Sequence, residues 1–136
     1  MKLYWRDKNL MKLGFIDYYL DEWHANNYPA WIADASGGDM RVTHAYAVID
    51  SPRGGLSTAA WCEKFGVTRC HSIEEIIAKC DGLIVLSPDD PQMHETLCAL
   101  PLRCGKPLYV DKTFAPDLET AKRIIANAEN TPFYTT

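Results

Sequence analysis

The sequence predicts an α/β domain with a doubly wound parallel sheet of about six strands and helices on both faces. Short runs of β-forming residues alternate with segments of helical period, in the order βαβαβαβαβαβ. The run Leu83–Leu86 is continuously apolar, as a strand covered on both faces must be. The 136 residues suit one domain, and right-handed crossovers make the doubly wound arrangement the simplest way to connect them.

The chain enters this fold with a buried strand over Leu13–Ile16 that ends at Asp17. A helix follows, because apolar residues recur at the spacing of one helix face, and Pro29 predicts that it starts late or kinks. β-forming residues then predict a second strand over 42–49, ending at Asp50.

The middle of the chain continues the alternation. A helix ended by Gly66 leads to a short strand over 67–70. An S-x-x-E capping box that begins at Ser72 predicts the start of the next helix, and the apolar run 83–86 forms the fourth strand.

The last third adds two helices and two strands. Asp90 and Pro91 predict a helix start, with an aspartate side-chain cap and proline at the first helical position. A strand is predicted over 107–110, a helix capped by Asp117 follows it, and a final strand starts at Pro132. The residues of the last helix that we expect to face inward are Leu118, Ala121, Ile125 and Ala128.

Composition excludes several classes of partner. The net charge of −4 comes without a basic stripe, so we expect no nucleic-acid partner. No apolar run approaches the roughly 18–20 residues of a membrane span, so we expect no membrane partner. The five cysteines are odd in number and form no C-x-x-C pair, which argues against disulfides or zinc and favours the reducing cytoplasm.

The predicted topology also locates a ligand site. In doubly wound sheets ligands bind at the carboxyl ends of the strands, in the crevice where the strand order reverses. The first and fourth strands flank that crevice, and they end at Asp17 and at Ser87-Pro88-Asp89. Asp50 faces the same edge, but these carboxylates lack a ligand pattern and we predict no metal site.

Two motifs carry a family resemblance. D-G-L-I-V-L-S-P-D over 81–89, a downstream His94 and G-K-P-L-Y-V-D-K-T over 105–113 resemble motifs of the glucose–fructose oxidoreductase and inositol dehydrogenase family (Gfo/Idh/MocA). The resemblance covers most of the chain from Met11 onward. It implies that residues 11–136 form a Rossmann-like NAD(P)-binding domain of an oxidoreductase acting on sugars, inositols or related polyols, preceded by a loosely held extension over 1–10.

The resemblance also implies residue roles. Asp50 matches the acidic position that holds the adenosine ribose, and Ser87, Pro88 and Asp89 match a loop near the nicotinamide. Lys112 matches a lysine near nicotinamide and substrate, which makes it the catalytic candidate, although a solvated lysine there is the alternative. The candidate cofactor-binding residues are Asp17, Tyr18, Tyr19, Asp50, Ser87, Pro88, Asp89, His94, Asp111 and Lys112.

Several of these candidates have ordinary structural alternatives. A histidine early in a helix is more often a packed or capping group than a ligand, which is the structural alternative for His94. The alternative for Asp50 is a loop residue that bonds locally near Ser51. Tyr18 and Tyr19 could stack on a ring or seal a core.

The phosphate loop departs from the family pattern. The G-x-G-x-x-G fingerprint falls on Asp17, Tyr19 and Glu22, so a bulky ring and two carboxylates replace the glycines that admit a diphosphate. Binding of NAD or NADP is therefore in doubt. The alternative function is a cofactor-free binding or assembly module that prefers a cation, an amine or a protein surface.

The sequence also bears on activity. The chain ends at Thr136, whereas family members continue into an α/β domain that supplies the substrate pocket. We therefore expect this polypeptide to be the nucleotide-binding half, inactive by itself. Its substrate, its choice between NAD and NADP, and whether it forms a homo-oligomer stay open.

Overall fold

A computed structural model describes residues 10–128 and 131–136, so the predicted extension over 1–10 lies outside the described residues except for Leu10. The strands are β1 (Met11–Asp17), β2 (Met40–Ala47), β3 (Thr68–Arg69), β4 (Gly82–Val85), β5 (Leu108–Val110) and β6 (Phe133–Thr135). The helices are α1 (Trp23–Ala35), α2 (Thr58–Phe65), α3 (Ile73–Lys79), α4 (His94–Cys98) and α5 (Leu118–Asn127), with 3₁₀ turns at Pro91–Met93 and Pro101–Arg103.

The strands form one parallel sheet in the order β3-β2-β1-β4-β5-β6, which confirms the predicted doubly wound topology. β1 lies at the centre and pairs with β2 on one side and β4 on the other. The chain therefore leaves the ends of β1 and β4 in opposite directions, which opens a crevice between them.

Two apolar layers enclose the sheet, and the alternation of side chains along β1 feeds both. Phe15 packs with Trp61 in the layer beneath α1 and α2. Ile16 points to the other face, where Ile76 and Ile124 bring α3 and α5 against the strands. Both faces of the central strands are thus covered, which explains their continuous apolar runs.

Side-chain caps fix where two of the predicted helices begin. Ser72 Oγ accepts from the Glu75 amide at 3.1 Å, as the capping box predicts, while the Glu75 carboxylate reaches the amide of His71 at 2.9 Å. Asp117 accepts from the Thr120 amide at 2.7 Å, which confirms the predicted cap of α5.

Two helix starts differ from prediction. α1 begins at Trp23 and continues through Pro29, so the late start was wrong. The start at Asp90 is a 3₁₀ turn without a side-chain cap, because the Asp90 carboxylate accepts from the Gln92 side chain instead. α-Helical geometry begins only at His94.

The inward face of α5 also differs from prediction. Leu118 is 68% exposed and Ile125 is 54% exposed, whereas Thr120 and Ile124 are buried. Thr120 and Ile124 lie one turn apart, so the helix docks on a face beside the predicted one. Across the described ranges, no helix combines the length and the apolar character needed to cross a membrane.

The contact between β1 and α3 generates a stability prediction. A Cβ atom at Gly14 would lie 2.5 Å from Ile76 Cγ2 and 2.8 Å from Cys80 Sγ. We expect Gly14→Ala to lower the free energy of unfolding by about 1–3 kcal/mol through overpacking, measured by urea denaturation. The cost should shrink in an Ile76→Ala background, and additive costs in the double variant would contradict this explanation.

Candidate functional site

A cavity of about 430 Å³ opens at the carboxyl ends of the strands, where the sequence places the ligand site. We call it the edge cleft. Its walls come from the loop after β1, the loop after β2 and the loop after β4. The lining residues are Tyr18, Tyr19, Asp21, Glu22, Trp23, Ile49, Pro52, Arg53, Asp89 and Asp90.

The edge cleft is acidic. Four carboxylate side chains line it against the single guanidinium of Arg53. Burial and the negative charges of Asp89 and Asp90 raise the pKa of Tyr19. Electrostatics at this cleft therefore favour neutral or cationic groups over a phosphate ester.

The N-terminus of α1 is capped by the chain's own carboxylate. Glu22 accepts hydrogen bonds from the amides of His24 at 2.6 Å and Ala25 at 2.7 Å. These are the free N–H groups that make a helix N-terminus attractive to anions. An internal carboxylate therefore occupies the position that a phosphate takes when this type of loop carries glycines.

Asp17 ties the two sides of the crevice together. It is 1% exposed, and its Oδ1 accepts from the amides of Tyr18 at 2.8 Å and Ser87 at 2.9 Å. Its Oδ2 is buried and has no hydrogen-bond partner among the described residues. Burial and the nearby charge of Glu22 raise the pKa of Asp17 well above its ordinary value. The group is thus suited to be neutral, whereas the α1 amides oppose the rise that burial causes in the pKa of Glu22.

Asp21 braces the cleft from the side of β2. Its carboxylate accepts from the Leu56 amide at 2.9 Å and from the Asn26 side chain at 3.0 Å. The Leu56 amide is the main reason that the pKa of Asp21 is lowered. The Asp21 amide donates to Ser51 Oγ at 2.8 Å. Both the backbone and the side chain of Asp21 therefore connect the loop after β1 to the loop after β2.

Asp50 lies beyond the end of its strand and outside the cleft lining. β2 ends at Ala47. The exposed Asp50 carboxylate accepts from the Thr58 amide at 2.8 Å, and that bond lowers its pKa. The local partner is thus the start of α2 and not the turn at Ser51.

The loop after β4 holds its predicted residues in a tight turn. Ser87 is buried with a φ of 63°, and its hydroxyl donates to the Asp90 carbonyl at 3.0 Å. Pro88 is buried and Asp89 is exposed at the cleft. His94 is fully buried outside the lining, with Nδ1 on the Phe114 carbonyl at 2.9 Å and Nε2 on the Leu86 carbonyl. Its contacts are those of a packed histidine.

A second cluster, which sequence reasoning missed, surrounds Asp111 at the end of β5. Nδ1 of His24 contacts Asp111 Oδ2, and the hydroxyls of Tyr28 and Tyr109 donate to Oδ1 at 3.0 and 3.2 Å. The rings of His24 and Tyr28 stack at 5.3 Å with an interplanar angle of 6°. Burial and the Asp111 charge raise the pKa of Tyr28. We call these four residues the Asp111 cluster.

The i, i+4 spacing of His24 and Tyr28 was the available signal, because such residues share one helix face. Lys112 follows the cluster directly and is exposed. Within the described part of the chain its ammonium makes neither a hydrogen bond nor an ion pair. The peptide bond between Lys112 and Thr113 is cis.

The comparisons with known proteins agree with this fold. The model of the Gfo/Idh/MocA family, described as an oxidoreductase family with an NAD-binding Rossmann fold, matches residues 25–133. The match begins just after the loop that lacks glycines. No curated protein sequence matches the chain.

Solved structures of similar fold come from several dehydrogenases. The WlbA dehydrogenase from Bordetella pertussis, in complex with NADH and UDP-GlcNAcA, has a TM-score of 0.72 at 15% identity over 94% of this chain and 35% of its own. An oxidoreductase from Agrobacterium radiobacter, in complex with NAD+, L-tartaric acid and magnesium, has a TM-score of 0.70 at 19% identity over 92% of this chain and 34% of its own.

The dehydrogenase MviM from Clostridium difficile has a TM-score of 0.66 at 20% identity, over 92% of this chain and 38% of its own. The chain thus spans between 34% and 38% of the length of these three structures. The strand order, the edge cleft and the family match over residues 25–133 together lead to one conclusion: the chain belongs to the Gfo/Idh/MocA oxidoreductase family and has its NAD-binding Rossmann fold.

Proposed function

We propose that this chain is the nucleotide-binding half of an NAD(P)-dependent oxidoreductase that acts on a sugar or related polyol, with altered contacts to the diphosphate. The observation that carries the proposal is the edge cleft, which lies at the reversal of strand order in a family scaffold. Similar structures hold NADH with UDP-GlcNAcA, or NAD+ with L-tartaric acid, which supports a nicotinamide cofactor and a hydroxylated substrate.

The flanks of the site suit the two ends of a dinucleotide, which when bound supplies hydride transfer. Asp50 keeps an exposed carboxylate for ribose hydroxyls, and Arg53 in the cleft would accept a 2′-phosphate. Ser87 and Asp89 would lie by the nicotinamide. The exposed ammonium of Lys112 would stabilise an alkoxide that develops on the substrate.

The centre of the site does not suit a diphosphate. The Glu22 carboxylate already accepts the hydrogen bonds of two α1 amides. The Tyr19 ring and the Asp21 carboxylate line the same cleft and add bulk and negative charge. A diphosphate must therefore displace the carboxylate or lie farther from α1.

A second candidate function, a cofactor-free binding or assembly module, is favoured by the same carboxylate. A helix N-terminus that is satisfied internally needs no external anion. The acidic cleft would then take a cationic or neutral partner, which includes a second copy of the chain. The cytoplasm suits either function, because all five cysteines are free thiols and four are buried.

Titration with NAD and NADP separates the two candidates. We expect weak binding by the natural chain and at least about tenfold tighter binding by Glu22→Ser, equivalent to ~1.4 kcal/mol. Serine keeps an N-cap hydroxyl and removes the competing charge. The measurement is calorimetry with a thermal-shift series, since a ligand of the folded state must raise Tm.

Glu119→Ser is the matched control, because Glu119 is an exposed carboxylate in the first turn of α5, away from the cleft. It should leave dinucleotide affinity unchanged. If neither the natural chain nor Glu22→Ser binds at millimolar cofactor, the oxidoreductase proposal fails for this site and the cofactor-free module is supported.

The buried Asp17 carboxyl generates a pH prediction. Its pKa in the folded protein is well above the ordinary 3.8, so the folded chain holds a proton that the unfolded chain has released. The free energy of unfolding therefore falls as pH rises from 3.8 through the folded pKa. Asparagine resembles the neutral acid and does not titrate, so Asp17→Asn should gain Tm relative to the natural chain as pH rises.

The control for this trend is Asp117→Asn. The Thr120 amide lowers the pKa of Asp117, so its stabilising effect is present above the ordinary carboxyl pKa and is lost as pH falls through the folded value. Its variant should therefore lose Tm relative to the natural chain as pH rises, opposite to Asp17→Asn. A Tm difference for Asp17→Asn that stays constant from about pH 4 to about pH 8 would mean that Asp17 is ionised in the fold.

A further inference from the structure

We propose that His24 is a proton acceptor for a ligand hydroxyl group, with Asp111 as the positioning residue that orients its ring. The ligand class, a polyol, rests on the proposed function. The site itself rests on contacts between α1 and the end of β5. Neither the fold nor the proposed cofactor contacts require a histidine at this place.

The contact with Asp111 fixes which ring nitrogen is free. A carboxylate accepts hydrogen bonds, so the imidazole nitrogen that faces it, Nδ1 of His24, carries the proton. The lone pair of the neutral ring is then on Nε2. Nε2 has no hydrogen-bond partner within residues 10–128 and 131–136, and His24 keeps 9% of its surface exposed.

The ring is held on several sides. Tyr28 stacks on its face, and the Trp23 ring meets it edge-on at 5.1 Å. Asp111 is buried and is itself held by the hydroxyls of Tyr28 and Tyr109. A base whose orientation is fixed in this way loses little freedom when it meets a ligand.

The position of His24 connects two parts of the site. Its backbone amide donates to Glu22, which lines the edge cleft. Its side chain contacts Asp111, which precedes the exposed Lys112. The two carboxylates that contact His24 are thus Glu22, at its backbone amide, and Asp111, at its ring.

The contrast with His94 argues against a purely structural role. His94 is fully buried, and both of its ring nitrogens face backbone carbonyls. Such a ring has no nitrogen left for a ligand. His24 is also packed and hydrogen-bonded, but one of its nitrogens is left without a protein partner.

The step is a simple proton transfer. The O–H bond of the ligand breaks, its electron pair stays on oxygen, and an N–H bond forms at Nε2. The resulting imidazolium faces the Asp111 carboxylate, and the ammonium of Lys112 is available to the alkoxide.

Acylation with diethyl pyrocarbonate, mapped by mass spectrometry, tests the free nitrogen, because the reagent attacks unprotonated and accessible imidazoles. We expect His24 to be acylated and His94 to be spared. With myo-inositol as the probe and no dinucleotide present, the rate at His24 should fall at least about twofold and saturate, as mass action requires. The rate at the exposed His71 should not change.

Two variants separate chemistry from folding. His24→Asn keeps an amide donor toward Asp111 but has no second nitrogen, so it should retain Tm and lose the chemical-shift response of the Lys112 amide to myo-inositol. Asp111→Asn offers Nδ1 a donor, which should move the ring proton to Nε2 and abolish the acylation of His24. His71→Asn makes the same change at an exposed histidine outside the Asp111 cluster, and is the matched control that should retain both signals.

An unreactive His24, or acylation that saturating myo-inositol does not slow, would overturn the proposal. So would ¹⁵N NMR that finds the proton on Nε2 of the natural chain. Because these measurements use no dinucleotide, a negative cofactor titration leaves their outcome readable, and the two proposals can fail separately.

Discussion

The hydrogen bonds of Asp17 hold together the ends of β1 and β4, and the candidate site depends on this junction. The chain leaves β1 and β4 in opposite directions, and the last residues that pair between these two strands are Ile16 and Val85. Asp17 continues the connection with its side chain, by accepting the amides of Tyr18 and Ser87. The crevice therefore has a hydrogen-bonded floor even though the glycines that usually shape it are absent. This connection requires the burial of a carboxyl group, and the free-energy cost of that burial is lowest when the group is neutral.

The same constraint explains how the scaffold persists without a phosphate loop. The N-terminus of α1 lies at the carboxyl edge of the sheet, and its free amides need a hydrogen-bond acceptor. A bound phosphate can supply it, and here Glu22 does so from within the chain. The charge that the α1 dipole favours is thus retained while the ligand that usually brings it is no longer needed. A fold does not by itself fix the ligand that it binds.

Sequence reasoning predicted the layers and strand order because alternation and apolar runs are local signals that burial enforces. It failed at Asp90, which bonds to the Gln92 side chain two residues away and leaves its helix uncapped. It also failed at α5, where packing against the sheet buries Thr120 in place of the predicted face. The edge cleft could be located from topology. The Asp111 cluster could not, because it joins His24 to a strand end 87 residues away.

The Asp111 cluster brings an imidazole and a carboxylate together at the carboxyl edge of the sheet. The family match begins at residue 25 and so excludes the loop that lost its glycines, but it includes the ends of β4 and β5. Asp111 lies within the matched segment and His24 immediately outside it. Their contact thus links a part of the chain that follows the family with a part that departs from it. A glycine loop would place backbone beside the ligand at this edge. The present chain places an imidazole at this edge, in contact with Asp111, the residue that precedes the exposed Lys112.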